Sequence, residues 1–276
     1  MSQQKSRGTS LASLANRTLR RFGLEVVKAA HPFDQNYDLE REASEAIARI
    51  RDHTMVSYAP LVTLFQQVRH CEQHGIAGDY VECGVWKGGA AGLMALANQR
   101  YGAARRKLHL FDVFDDICEP DPAHDGDFVL DNASRLSGVD KQQFAGRLRP
   151  VKGIYDSHGG HGTVQIVSDL LIGRLGYDAD HVIFHQGWFQ HTLPERGGAV
   201  GDIAILRLDG DFYASTKVCL EYLYDRVVPG GFVILDDYGT REGCRKATDE
   251  FRARNGIAAF MHHVNRDCRY WVKPPP

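Results

Sequence analysis

An α/β fold, a doubly wound parallel sheet behind a helical N-terminal region, is predicted by three observations. From about residue 79 onward, short β-rich runs alternate with helical patterns, the sequence form of a parallel sheet covered by helices. The first run ends in a glycine-rich turn, Gly84-Val85-Trp86-Lys87-Gly88-Gly89, which lets a backbone approach a ligand closely at a helix N-terminus. Later runs end in carboxylates, Asp112, Asp209, Asp236 and Asp237, and open α/β sheets bind ligands outside the carboxyl ends of their strands.

Taken in order, residues 1–30 carry Lys5, Arg7, Arg17, Arg20, Arg21 and Lys28 against Glu25 alone, with Leu11, Leu14 and Phe22 at loose helical spacing. The pattern is shared by transit peptides and by basic amphipathic helices; with no cleavage logic, the helix is favoured. Segment 38–75 is helical as well, since Tyr58, Leu61, Leu64, Phe65 and Val68 form one stripe that Gly75 ends. Residues 1–75 are therefore expected to be a helical extension or lid, and 76–276 the sheet domain.

Strands are predicted near 79–84, 107–112, 181–186, 202–208, 230–236, 257–263 and 268–273, with helices at 88–100, 163–175, 214–227 and 241–254. Thr163 before Val164-Gln165-Ile166-Val167 is a helix start. In 241–254, Ala247 and Phe251 mark a buried face. Segment 113–162, rich in Asp, Gly, Pro and His, is expected to be a substrate loop or a partly helical insertion.

At 276 residues and 43% hydrophobic composition the chain can bury a full core. A net charge of −2 gives no field for nucleic acid or anionic membrane, and no run approaches the roughly 20 apolar residues of a membrane span. Cys71, Cys83, Cys118, Cys219, Cys244 and Cys268 are scattered without metal-site spacing. They read as core residues of a reduced, cytoplasmic protein.

Two constellations carry chemistry. Glu82, the turn from Gly84, and Asp112 on the next strand suit a nucleoside with an amino-acid tail, because a carboxylate at that second strand can accept ribose hydroxyls. The dinucleotide pattern G-x-G-x-x-G is not met, so a pyrophosphate is disfavoured. Asp209-Gly210-Asp211 and Asp236-Asp237 form the second constellation. These acids are expected to be clustered and exposed rather than paired, which calls for a divalent cation, a catalytic role or both. The plain alternative is that they cap and turn the chain, Asp237 capping the helix that follows.

The motifs Val81-Glu82-Cys83-Gly84-Val85-Trp86-Lys87-Gly88-Gly89, Gly187-Trp188-Phe189-Gln190-His191-Thr192-Leu193-Pro194, Leu208-Asp209-Gly210-Asp211-Phe212-Tyr213-Ala214-Ser215-Thr216 and Gly230-Gly231-Phe232-Val233-Ile234-Leu235-Asp236-Asp237-Tyr238, spread over roughly 50–273, resemble the macrocin O-methyltransferase family. The resemblance implies a class I methyltransferase sheet of seven strands, the last antiparallel. It also implies Mg²⁺-dependent methyl transfer from S-adenosylmethionine to a hydroxyl of a sugar or glycosylated small molecule. Glu82 and the glycines behind it, Gly84 first, would then lie by the methionine part of the cofactor, Asp112 on its ribose, and Gly187 and Trp188 near the adenine, with Trp86 in a ligand-facing motif where it either packs or stacks on the cofactor. Thr54, Met55 and Ser57 would help close that site. Asp209, Asp236 and Asp237 would ligate Mg²⁺, and Asp211 would be the general base, since a cation-stabilised alkoxide still needs a carboxylate to take its proton. A homo-oligomer, a dimer, is the expected assembly.

The chain departs from the pattern in two places. Where the family usually reads Asp-Ser-Phe-x-Gly, this sequence has Asp112-Val113-Phe114-Asp115-Asp116, and His191 stands where an acid is favoured. Same-fold methylation of a phenol or catechol is a second reading. Asp209-x-Asp211 is also the cation-chelating pattern of nucleotide-sugar glycosyltransferases, and a non-catalytic scaffold is a third class. Among other histidines, His158-Gly159-Gly160-His161 reads as a flexible substrate-side loop, and His262 and His263 as structural.

Overall fold

A computed structural model describes residues 38–275; the basic segment 1–30 lies outside them. Residues 42–276 form one compact unit. The described helices are α1 (Asp38–Ile50), α2 (Tyr58–His74), α3 (Gly89–Tyr101), α4 (Gly126–Ser137), α5 (Val164–Ser168, continuing as a π-helix over Asp169–Arg174), α6 (Phe189–Arg196), α7 (Tyr213–Leu223) and α8 (Glu242–Arg254). The strands are β1 (Asp79–Cys83), β2 (Leu108–Asp112), β3 (Val182–Gln186), β4 (Ile203–Leu208), β5 (Val227–Leu235), β6 (His262–His263) and β7 (Arg269–Val272).

These strands make one seven-stranded sheet in the order β3-β2-β1-β4-β5-β7-β6. The ladder is parallel from β3 to β5, and β7 runs antiparallel to β5. Order reverses between β1 and β4, the switch point at which such sheets bind ligands. β4 is buried at all six positions, as a central strand covered on both faces must be. Its core partners include Val81, Val233 and Trp271. All six cysteines are free and buried, and no described helix is long and apolar enough to cross a membrane.

Two elements differ from expectation, and segment 113–162 takes the partly helical form of its two expected alternatives. The strand expected at 257–263 pairs only at His262 and His263, against Tyr270 and Arg269; after Gly256 at φ +62 the apolar run Ile257 to Phe260 is half-buried or exposed and meets no neighbouring strand. Segment 113–162 contains α4, whose buried Val129, Leu130 and Ala133 are too few to make a visible stripe. The short α6 was hidden by Pro194 within it.

Inside the sheet, His109 and His185 sit side by side on β2 and β3, Nδ1 to Nε2 at 3.1 Å, with Asp79 Oδ2 3.5 Å from His109 Nε2. Both rings are buried and His185 stacks on Phe111 at 3.9 Å. Burial, helped by His109 and Arg196, lowers the His185 pKa to about 4. An imidazole with a pKa depressed below its unfolded value of 6.5 costs stability as pH falls from there toward 4, because the unfolded chain takes the proton first. Denaturant unfolding is expected to show a loss of about 2 kcal/mol between pH 7 and pH 5 from this group, and His185→Asn should flatten that slope. An unchanged slope in the variant would contradict it.

Candidate active site

The ends of β1, β2, β4 and β5 meet because backbone hydrogen bonds carry the ladder past the last paired residues. Gly84 N donates to Phe111 O at 2.9 Å, Asp209 N to Cys83 O at 2.8 Å, and Asp236 N to Leu208 O at 2.9 Å. Gly84 has to be glycine: its φ is +91, and a Cβ there would lie 1.8 Å from Asp209 O. A cavity of about 440 Å³ opens at this edge, lined by Gly84, Asp112, Asp209, Asp211, Asp236 and Asp237. A smaller cavity of about 60 Å³ shares Gly84, Asp112, Asp209 and Asp211 and adds Gly187 and Trp188.

Met55, Ser57 and Trp86 also line the larger cavity, and Asn265 Nδ2 holds Ser57 Oγ at 3.0 Å. Thr54 and Glu82 line neither cavity. Thr54 accepts from Val56 N at 3.1 Å and packs under the first turn of α3, where a Cβ on Gly89 would come 2.5 Å from Thr54 Cβ. His191 is exposed on α6 and lines neither cavity. From 113–162 come Ile117, Ile154, Tyr155 and His158, and from α4 Val129 and Leu136, so that segment walls the cavity. The non-glycine residues with positive φ among those described are Trp86, Phe114 and Asp211. Two of these line the cavity, and strain held in place by surrounding structure clusters at functional sites.

Asp112 is anchored by backbone: its Oδ2 accepts from Val85 N at 2.6 Å and Trp86 N at 3.1 Å, and Oδ1 from Phe114 N at 2.8 Å. A carboxylate offers about four lone-pair positions, so Oδ1 keeps acceptor capacity. Burial raises its pKa against those three hydrogen bonds.

The acids on β4 and β5 are clustered as expected, but they are paired. Arg207 stands opposite Glu82 on β1 and Ile234 on β5, and a period of two puts Asp209 and Asp236 on the same face. Its guanidinium reaches Glu82 Oε1 at 2.7 Å, Asp209 Oδ2 at 3.0 Å and Asp236 Oδ2 at 3.0 Å. Arg241 Nε holds Asp211 Oδ1 at 2.8 Å and lies 3.9 Å from Asp237 Oδ1. Asp237 does not cap α8, whose N-cap is Arg241; its Oδ2 accepts from Asp211 N at 3.0 Å.

Five carboxylates thus face two guanidiniums, and burial together with the neighbouring acids raises the pKa of Glu82, Asp209, Asp211 and Asp237. Burial raises Asp209, with Asp236 adding to it, and raises Asp211 against the pull of Arg241. Asp237 is pushed well up by burial and by Asp211 and Asp209, and Glu82 to about 8 by burial against Arg207. Hard oxygen donors with a cation deficit fit Mg²⁺ chemically. In this arrangement the oxygens of Asp209 and Asp236 turn to Arg207. The His/Cys/Asp/Glu group whose ligand atoms lie within 4.8 Å of one another, among the described residues, is Asp115, Asp116 and His161.

Arg207, Arg241 and Tyr155 were missed by sequence reasoning. A readable signal existed for Arg207, two residues before Asp209 on a strand with Glu82 at the neighbouring strand end. Tyr155 lines both cavities, and burial with Asp211, Asp112, Asp209 and Asp237 around it pushes its phenol well up.

The family Macrocin-O-methyltransferase (TylF) matches the chain over residues 6–143 and 166–273. A tetracenomycin-class enzyme of Streptomyces olivaceus, 8-demethyl-8-(2,3-dimethoxy-alpha-L-rhamnosyl)-tetracenomycin-C 4'-O-methyltransferase, is 34% identical over 222 residues, 79% of this chain and 75% of the relative. Demethyldecarbamoylnovobiocin O-methyltransferase of Streptomyces niveus is 32% identical over 224 residues, 80% of this chain and 76% of its own length. Among solved structures, the O-methyltransferase NovP superposes with a TM-score of 0.66 at 26% identity, covering 86% of this chain and 98% of that one.

Proposed function

The chain belongs to the macrocin O-methyltransferase family, and from that premise we propose that it methylates a hydroxyl of a sugar or glycosylated small molecule with Mg²⁺ in its site. It is an S-adenosylmethionine-dependent O-methyltransferase. The observation that carries the reading is that Asp112 and Gly84, on the nucleoside side, share one cavity with the Asp209, Asp211, Asp236 and Asp237 cluster. A volume of about 440 Å³ falls in the range of small-molecule sites.

Asp112, Gly84 and Trp86, with Gly187 and Trp188 in the smaller cavity, hold the cofactor, and Met55 and Ser57 close over it. When bound, S-adenosylmethionine supplies a sulfonium methyl that needs no further activation. Asp209, Asp236 and Asp237 would hold Mg²⁺, which supplies charge stabilisation for an acceptor alkoxide. Asp211 takes the acceptor proton, and the walls from α4 and Tyr155 orient the acceptor and exclude water. The segment ahead of the sheet, through Met55, Val56 and Ser57, acts as the lid of a catalytic domain at 76–276, and the working assembly is a dimer in the cytoplasm. The acceptor is a glycoside, a reading supported by relatives named for a rhamnosyl-tetracenomycin and for a novobiocin-type acceptor.

Thermal melting tests the cofactor and ion together. S-adenosylmethionine is expected to raise the melting temperature, and methyl transfer from labelled cofactor to a glycoside panel should cease after chelation and return with Mg²⁺. Stabilisation by a nucleotide sugar alone would favour a D-x-D transferase. Transfer confined to phenols would move the acceptor class.

A further inference from the structure

His161 lies in residues 144–165, the stretch that the family match passes over. Its partners, Asp115 and Asp116, stand where the family pattern has x-Gly after the ribose-side acid. Two departures distant in sequence therefore meet in space. His161 Nε2 is 3.8 Å from Asp115 Oδ1 and its Nδ1 is 3.7 Å from Asp116 Oδ1. These spacings are too long for hydrogen bonds. They run from opposite ring nitrogens, of which an ion would take one. With one ligand atom from each residue the three lie within 4.8 Å of one another, and rotation of the half-exposed Asp115 and His161 side chains brings them toward the ~3.4 Å between two ligands held at ~2.1 Å around one tetrahedral ion.

Asp116 supplies an independent observation. It is 8% exposed, and its carboxylate accepts no hydrogen bond among the described residues. A largely buried carboxylate whose described partner is His161 at 3.7 Å is better offset by a cation held between the two, and burial, with Asp115 and Asp156 nearby, raises its pKa despite His161. Asp115, half-exposed, leaves room for water on the open side.

We propose that Asp115, Asp116 and His161 bind a first-row transition dication of the Zn²⁺ class, at a site separate from the Mg²⁺ acids. An imidazole beside two carboxylates suits Zn²⁺, Co²⁺ or Fe²⁺, whereas Mg²⁺ prefers oxygen alone. The ion ties the 155–162 loop to the turn that follows Asp112. That loop is already strapped to the glycine turn, since Lys87 Nζ donates to His158 O at 2.8 Å and Gly159 O at 3.1 Å, and Trp86 Nε1 donates to Gly160 O at 3.2 Å. The bound ion would thus fix Tyr155 and His158 as a wall of the cavity, and it would do so whatever the acceptor is.

The test is Co²⁺ titration of the chelator-stripped full chain in excess Mg²⁺, read by visible d–d absorption. One saturable Co²⁺ per chain is expected, weakened by about tenfold or more in His161→Gln and Asp116→Asn and retained in Asp236→Asn. Melting curves without metal establish that each variant is folded. Absence of saturable binding in excess Mg²⁺, binding unchanged in folded His161→Gln, or binding abolished by Asp236→Asn would each overturn the proposal.

Discussion

Asp211→Asn is expected to lower kcat by about 10²- to 10⁴-fold, the ordinary contribution of a positioned general base, with S-adenosylmethionine affinity within about twofold of wild type. Asp211 lies in the cavity with its carboxylate on Arg241 at 2.8 Å. Its pKa is raised by burial, which brings it closer to that of the hydroxyl it must deprotonate. The residue holds φ +58, a left-handed conformation that Asn adopts more readily than most side chains. Asn should therefore keep the turn and the hydrogen bond that Asp211 N makes to Asp237, so that the loss falls on proton transfer rather than folding. Single-turnover transfer of labelled methyl, beside calorimetric cofactor binding, separates the two. The acid limb of the pH–rate profile should also disappear, since a base must be deprotonated and the wild-type rate rises with pH through its raised pKa. A kcat within about threefold of wild type would remove Asp211 from the role.

Most of the sheet was legible because its signals are local and periodic. β1, β2, β3, β4 and β7 fall within one residue of expectation; each is an apolar run bounded by turn residues. β6 is shorter than its sequence suggests, because Ile257, Ala258, Ala259 and Phe260 have the composition of a strand while edge pairing depends on what β7 can reach. In the site, Asp112, Asp209, Asp236 and Asp237 were readable as strand-end acids. Their protonation and pairing were not, because Arg207 and Arg241 act across strand register and across a loop. Tyr155 belongs to a segment whose apolar spacing is too sparse to place from sequence. Glu82 shows the limit of a motif: its position at the glycine turn was clear, while its side chain turns to Arg207 instead of the cavity.

Arg207→Met is expected to destabilise the Mg²⁺-free protein by about 3–5 kcal/mol, the usual cost of removing one partner from a buried ionic group, which for a domain of this size lowers the melting temperature by roughly 10 °C. Glu82 is 1% exposed, and its Oε2 already has no hydrogen-bond partner. Without the guanidinium it faces Asp209 and Asp236 with nothing to offset the repulsion. Its pKa of about 8 is already above the unfolded value, so its ionisation opposes folding once pH exceeds the unfolded pKa near 4.5. Stability is lost as pH rises from there through 8, and loss of Arg207, by raising that pKa further, should carry the decline on to higher pH. Two rescues follow from the same electrostatics. The double variant Arg207→Met with Glu82→Gln should recover most of the lost stability, because it removes the buried charge along with its partner. Mg²⁺ should raise the melting temperature of the single variant more than that of wild type, because Asp209 and Asp236 no longer have to leave Arg207 to receive it. Melting within about 2 °C of wild type, with no added effect from Glu82→Gln, would show that Arg207 does not neutralise these acids.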